Sequence, residues 1–253
     1  MNDVDSKDAL TRRMQELTPA RVGLGRAGNA LPTREVLRFA MDHAKARDAV
    51  HCALDVEALR QALPGRPEPA LCVHSRAESR EQYLLRPDLG RRLRAADAAM
   101  LQAHAGAGSD LCIVLADGLS ALALQSHAPA LLSALLPLLP PEWKLSPLVL
   151  AQQARVALGD EIAVCLGAKM VALLVGERPG LSAPDSLGIY LTWQPAIGTL
   201  DSARNCISNV RPQGLPVQDA AARLAWLLRQ MSLQELSGIA LKDESQPAGP
   251  RLK

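Results

Sequence analysis

The stretch Met170-Val171-Ala172-Leu173-Leu174-Val175-Gly176-Glu177 decides the fold class of this chain. An apolar run ends there in a glycine and a carboxylate, and an earlier run, Leu111-Cys112-Ile113-Val114-Leu115, is closely followed by Asp117-Gly118. Continuous apolar runs of this length are typical of strands buried on both faces of a parallel sheet. Ligands bind beyond the carboxyl ends of such strands, so both glycine–acid pairs are expected at a ligand-binding edge.

Outward from these two runs, short apolar segments alternate with helical patterns. Ser120 is the expected N-cap of a helix that reaches about Leu136. Further strands are expected at 148–150 and 189–193, and further helices at 156–166 and 217–234. Strands that alternate with helices predict an α/β fold with a parallel sheet and right-handed crossovers.

The N-terminal part of the chain has a different character. Leu10, Met14 and Leu17 recur at helical spacing, which indicates either a frayed helix or a short docking helix. Residues 59–69 contain three prolines and a glycine and are the expected linker. The predicted organisation is an N-terminal extension (1–20), a helical region with its linker (21–69), a sheet domain (70–240) and a flexible tail (241–253).

Composition excludes several classes of protein. Hydrophobic residues make up 48%, which predicts a globular fold. A net charge of +2 and only 2% aromatic residues argue against a nucleic-acid surface with stacking platforms. The five cysteines are scattered without a CxxC pair, which favours a reducing compartment over disulfides or zinc. No apolar run reaches the roughly 20 residues of a membrane span, and no secretory signal is visible.

A glycine motif offers one alternative function. Residues 23–28, Gly-Leu-Gly-Arg-Ala-Gly, match the GxGxxG pattern of nicotinamide-dependent oxidoreductases. The strand before it would be very short, and Pro32 delays the helix that should follow. A tight glycine loop that contacts a partner or a second domain explains the motif better, and a non-catalytic interaction protein is a further alternative.

Catalytic nucleophiles and metal sites find little support. The histidines and cysteines show no metal-ligand spacing, and no GxSxG elbow occurs. His127 interrupts an apolar helix and is expected at a helix cap or boundary, while Cys206 has no adjacent base. The loop that starts at Glu177-Arg178 is the strongest candidate, because charged residues at the end of a buried run commonly bind ligands. A solvated loop with a local Glu–Arg contact is the alternative.

Ordered blocks over most of the chain resemble the small (light, beta) subunit of ethanolamine ammonia-lyase. These blocks are Arg21 to Gly28, Leu37-Arg38-Phe39 with Asp42-His43, Tyr83 to Leu93, Asp117 to Ser120, Arg155-Val156, Leu166 to Lys169, Leu173 to Leu181 and Cys206-Ile207-Ser208-Asn209. Residues 56–79 match poorly, and the loop from Ala183 to Tyr190 is slightly altered.

The resemblance implies an enzyme subunit that works with adenosylcobalamin. The family deaminates ethanolamine to acetaldehyde and ammonia by radical chemistry that the cofactor supplies. A large (alpha) subunit, a TIM-type barrel, binds the substrate, and the small subunit covers the other side of the cofactor with a Rossmann-like domain. The family often works inside bacterial microcompartments, where short amphipathic N-terminal helices serve as addresses.

Three residues match the cobalamin contacts of the family. Val156 is implied to contact the cofactor through its backbone, and Glu177 through a carboxylate that accepts hydrogen bonds. Cys206 is implied to be a small neighbouring group rather than a nucleophile. None of the five histidines lies in the Asp-x-His-x-x-Gly pattern, which agrees with a cofactor that keeps its own dimethylbenzimidazole on cobalt. The resemblance places no catalytic residue and no metal ligand on this chain.

Overall fold

A six-stranded sheet forms the centre of the structure, a computed structural model that describes residues 3–18, 20–65 and 70–245. The strands are β1 (Leu71–His74), β2 (Ser109–Ala116), β3 (Val149–Gln152), β4 (Ala168–Gly176), β5 (Leu187–Trp193) and β6 (Asn205–Val210). The α-helices are α1 (Asp3–Leu17), α2 (Thr33–His51), α3 (Val56–Ala62), α4 (Arg80–Leu85), α5 (Ala95–Ala103), α6 (Ala121–Leu135), α7 (Val156–Cys165) and α8 (Val217–Gln234).

The sheet is mixed, with the strand order β1-β3-β2-β4-β5-β6. The first four strands in this order are parallel, as predicted, whereas β5 is antiparallel to both β4 and β6. The prediction of a fully parallel sheet was therefore wrong for β5, which runs opposite to the other five strands, whereas β6 again runs in the direction of the first four. The reason is the length of the two connections of β5: 177–186 and 194–204 are both shorter than the dozen or more residues that a parallel crossover needs.

Alternate residues of the central strands build a core on each face of the sheet. On β4, Ala172 and Leu174 belong to the cluster that packs against α6 and α8, while Val171 and Leu173 belong to the cluster with α7. Both faces are covered along β2 and β4, which explains why those strands are continuous apolar runs. The α/β prediction holds, and the core lies where the two apolar runs placed it.

Helix α6 begins where the sequence predicts. The Ser120 hydroxyl accepts a hydrogen bond from Ala123 N (3.3 Å) and caps the helix. By length and composition, residues 121–138 are apolar enough to cross a membrane, but half the helix faces the sheet and α8 as core. His127 is neither a cap nor a boundary residue: it is buried inside α6, with Nε2 3.3 Å from the Asp185 carboxylate. The partly exposed Asp185 carboxylate, in the loop between β4 and β5, is thus the charged group nearest to a histidine that the apolar pattern of the helix does not explain.

Several elements and boundaries differ from the sequence-based expectations. Strands β1 and β6 and helices α4 and α5 were not predicted, and α3 occupies the start of the expected linker 59–69. Residues 66–69 of that linker and residues 246–253 of the expected tail lie outside the described part of the chain.

The glycine motif at 23–28 lies between α1 and α2. No strand leads into it within the described residues, and Ala27 and Ala30 exchange backbone hydrogen bonds of 2.9 and 3.2 Å across a tight turn. A dinucleotide fingerprint needs a strand before the glycines and a helix directly after them. The oxidoreductase alternative therefore has no structural basis here.

Candidate functional site

The two glycine–acid pairs meet at one edge of the sheet. Ala116, the last residue of β2, pairs with Val175 of β4, and Leu119 N donates to Gly176 O at 2.9 Å. The strand ends approach so closely that a Cβ on Gly118, whose φ is +58°, would lie 2.2 Å from Gly176 O. Only glycine fits this backbone contact at position 118. The prediction that Asp117-Gly118 and Gly176-Glu177 lie at the same edge of the sheet is confirmed.

Asp117 does not face a ligand. Its buried carboxylate accepts hydrogen bonds from Gln153 N (2.8 Å) and Ala154 N (3.0 Å), in the turn between β3 and α7. Burial raises the pKa of Asp117, against the lowering effect of these bonds and of the Arg80 charge. The residue fixes the start of α7 relative to β2.

Helix α7 begins at the predicted contact Val156. Its N-cap, Arg155, makes no side-chain cap, and the N–H groups of Val156 and Ala157 have no acceptor among the described residues. Free N–H groups and the positive end of the helix dipole favour a ligand that brings hydrogen-bond acceptors.

Glu177 links three segments of the sheet edge. Its half-buried carboxylate accepts hydrogen bonds from Ser186 Oγ and from Asn209 N (3.3 Å), and Glu177 N donates to Ser186 O at 2.9 Å. Arg178 is exposed and makes no ion pair with Glu177 in the described structure. The local Glu–Arg contact is therefore absent, and the carboxylate is held by β5 and β6.

Cys206 lies opposite Tyr190 in the β5–β6 ladder. Desolvation is the main cause that raises the pKa of the Cys206 thiol, and the nearby Glu177 carboxylate adds to it. The pKa of Tyr190 rises to about 12, chiefly by burial and then through Cys206. A thiol with a raised pKa stays protonated near neutral pH, so the expectation that Cys206 is no nucleophile has a physical basis.

A cavity of about 360 Å³ brings part of the predicted site together. Val156 and Glu177 both line it, while Cys206 does not: it is exposed and is the cross-strand neighbour of Tyr190, which does line the cavity. A second cavity of about 530 Å³ also includes Arg155 and Val156, so the start of α7 borders both. The largest cavity described, about 730 Å³ between α1, α2 and the loop at 181–184, contains none of the predicted contacts.

Sequence reasoning missed the aromatic residues of the site. The chain has only two tyrosines, Tyr83 and Tyr190, and both line the smaller cavity. Arg80 and Arg155 place their guanidinium groups over the Tyr83 ring, at 4.8 and 4.3 Å from its centroid. In a chain so poor in aromatics, the position of its tyrosines was a signal that could have marked the site.

Comparison with known proteins identifies the family of the chain. The family model "Ethanolamine ammonia-lyase light chain" matches residues 8–242. The chain belongs to this family. A relative from Azotobacter vinelandii, named ethanolamine ammonia-lyase small subunit, is 53% identical over 94% of this chain and 89% of its own length.

Further relatives carry the same name. One from Pseudomonas fluorescens is 52% identical over 92% of this chain and 86% of its own length, and one from Xanthomonas campestris is 51% identical over 92% and 87%. The resemblance seen in the sequence is thus confirmed, and the light-chain family places this chain in a lyase as the small subunit of the enzyme.

Proposed function

We propose that the chain forms one wall of an adenosylcobalamin site, and that the large subunit of ethanolamine ammonia-lyase completes it. One observation carries the proposal. The start of α7, with two unpaired backbone N–H groups, separates two cavities, and Val156 and Glu177 line the smaller one. The family of the chain and the names of its relatives support a subunit that needs a partner.

The residues at this wall fit the chemistry of a cobalamin. The corrin ring carries amide side chains, whose oxygens accept hydrogen bonds and whose N–H groups donate them. The N–H groups at Val156 and Ala157 supply donors, and the Glu177 carboxylate supplies an acceptor. Arg155 Nε is buried without a hydrogen-bond partner, which adds a donor close by. A ligand broader than one cavity can contact both sides of Val156.

Each residue of this chain then has a limited task. The bound cofactor supplies the radical for the conversion of ethanolamine to acetaldehyde and ammonia. Val156 and Glu177 hold and orient it, and Cys206, protonated and small, shapes the neighbouring surface. We assign substrate binding and radical handling to the large subunit. The four parallel strands with α6 and α7 serve as the Rossmann-like part of the domain.

A substitution at Glu177 tests this proposal. Glu177→Gln keeps an oxygen that accepts from Ser186 and Asn209 but turns an amide N–H₂ group toward the ligand side. In the complex with the large subunit, we expect the Kd for adenosylcobalamin to rise about tenfold while the melting temperature changes little. Equilibrium dialysis or the visible spectrum of bound cobalamin measures the Kd.

Glu142→Gln is the matched control, because Glu142 is exposed and lines neither cavity. It should leave the Kd unchanged. If the unmodified complex binds no adenosylcobalamin, the proposed function fails. If Glu177→Gln binds it as tightly as the control does, Glu177 loses its assigned role.

We also propose that α1 addresses the enzyme to a protein-shelled microcompartment in the cytoplasm. Leu10, Met14 and Leu17 lie on α1 at helical spacing, and all three are exposed. An exposed apolar stripe on a terminal helix has the form of a docking element for another protein.

A further inference from the structure

We propose that Tyr83, held between Arg80 and Arg155, is a positioning residue that sets the first turn of α7 against the cofactor. The inference rests on the proposed function, since the cofactor wall it positions is the one described above. Tyr83 borders the smaller cavity, but its hydroxyl is turned to Ala154 O and its ring to the two arginines. It acts through the backbone that leads into Val156.

The tyrosine is fixed from three directions. Its ring is fully buried, with the two guanidinium groups 4.8 and 4.3 Å from its centroid. Its hydroxyl donates to Ala154 O at 3.1 Å, and Arg155 Nη2 donates to Tyr83 O at 3.3 Å. Cation–π contacts strengthen as solvent is removed, and here a partly exposed guanidinium lies over a fully buried ring, so the ring and Arg155 hold each other in place.

The turn that Tyr83 holds is strained. Gln153 has a φ of +53°, a left-handed conformation that is unfavourable for a residue with a side chain. Asp117 accepts hydrogen bonds from the N–H groups of Gln153 and Ala154, and the Tyr83 hydroxyl donates one to the carbonyl of Ala154. Strain of this kind persists only where surrounding contacts over-determine it, and it is concentrated at functional sites.

The next residue transmits this geometry to the wall. Arg155 N donates to Gly90 O at 2.8 Å, so the backbone is anchored immediately before Val156. Gly90 lies against the stack: a Cβ there would be 2.8 Å from Arg155 Cγ and 3.0 Å from the Tyr83 ring. A methyl group at position 90 must therefore displace the stacked Tyr83 and Arg155 side chains. Gly90 itself lines neither cavity and so contacts neither Val156 nor Glu177 within them.

The experiment uses the assembled two-subunit enzyme with four variants. Gly90→Ala pushes on the stack, and Gly106→Ala is its control because a Cβ at Gly106 meets nothing within 4 Å. Tyr83→Leu removes the ring, whereas Tyr83→Phe keeps the ring and loses only the hydroxyl. For each variant, the Kd for adenosylcobalamin, the KM for ethanolamine at saturating cofactor, and the melting temperature are measured.

We expect Gly90→Ala and Tyr83→Leu to raise the Kd for the cofactor about tenfold, with the KM for ethanolamine within about twofold of its original value. Tyr83→Phe should recover most of the affinity, because the two guanidinium groups still have an aromatic face between them. This split between Kd and KM, with rescue by phenylalanine, is not expected of a residue that only stabilises the fold.

Three results would overturn the inference. The first is a Kd for Gly90→Ala and Tyr83→Leu equal to that of Gly106→Ala. The second is a rise in the KM for ethanolamine as large as the rise in the Kd for the cofactor. If either variant fails to assemble, Arg155→Lys takes its place, since it keeps the charge of a partly exposed residue but loses the planar face over Tyr83. An unchanged Kd for Arg155→Lys is the third. A failure of the proposed function looks different, because the unmodified complex then binds no cofactor.

Discussion

The pKa values of two aspartates at opposite ends of β2 are shifted in opposite directions. Asp110, near the start of the strand, accepts hydrogen bonds from Lys144 N (2.9 Å) and Lys169 Nζ (3.0 Å). The backbone bond, followed by Lys169, lowers the pKa of Asp110 below the ordinary value. Asp117, just past the other end, is buried, and its pKa is raised. The same residue type thus makes a partly exposed ion pair at one end of the strand and a buried set of backbone hydrogen bonds at the other.

Asp110→Asn should lower stability in a pH-dependent way. A carboxyl group with a lowered pKa stabilises the folded state above its ordinary pKa of about 4, and this stabilisation is lost as the pH falls through the folded-state value. The variant should therefore unfold at lower urea than the unmodified chain at pH 7, and the gap should close toward pH 3. A gap of constant size from pH 7 to pH 3 would contradict this assignment.

Single residues were predictable where their role depends on local sequence. Glu177 follows a buried run, so its place at the sheet edge could be expected from the pattern alone. The contact between Tyr83 and Ala154 could not, because the carbonyl that accepts the hydroxyl's hydrogen bond is 71 positions away in the chain. The contacts of Val156 and Cys206 with a cofactor came from the family resemblance and remain predictions.

Helix α6 depends on one residue for both its start and its link to the site loop. The Ser120 hydroxyl accepts from Ala123 N and donates to Pro184 O at 2.8 Å. The loop from Arg178 to Ser186 carries Pro184, so the cap of α6 also tethers the segment that follows Glu177.

Ser120→Ala should lower the free energy of unfolding by about 1–2 kcal/mol, because it removes the cap and leaves the half-buried Pro184 carbonyl without its donor. Ser133→Ala is the matched control, since Ser133 is an exposed residue of the same helix that bonds only Pro129 O. It should change stability by less than about 0.5 kcal/mol. Urea unfolding at constant m-value gives both numbers, and equal losses for the two serines would argue against the double role.

The direction of a strand proved harder to predict than its position. β4, β5 and α8 lie close to where the apolar patterns placed them, because burial determines those patterns. The same patterns say nothing about whether neighbouring strands run parallel. That depends on the length of the connection, and the short segment between Gly176 and Leu187 already excluded a helical crossover.

On the scale of the whole molecule, the helical N-terminal region is attached at the functional edge of the sheet. Arg80 Nε donates to Val50 O near the end of α2 (2.7 Å), and its Nη1 donates to Gly118 O (2.8 Å). One arginine thus joins the last turn of α2 to the turn after β2. Helix α1 is joined to the segment that follows it through Gln15 Nε2, which donates to Val22 O at 3.0 Å.

Removal of residues 1–18 should separate location from catalysis. Residues 3–18, the described part of that segment, line neither cavity beside Val156, so ammonia release by the assembled enzyme should stay within about twofold. Co-sedimentation with the compartment shell should be lost if α1 is the address. Replacing Leu10, Met14 and Leu17 together by glutamine should have the same effect while it keeps a helix-forming sequence. Continued packaging of both variants would contradict the proposal.

The clamped turn between β3 and α7 has a consequence for the kinetics of binding. Asp117, Tyr83 and Gly90 O already hold residues 153–155 by hydrogen bonds within the chain. A ligand therefore meets a preorganised surface and loses little affinity to the ordering of this loop. Association at this wall should resemble the docking of two rigid bodies, so its rate would depend on how often the partners meet rather than on how often the turn reaches its binding shape.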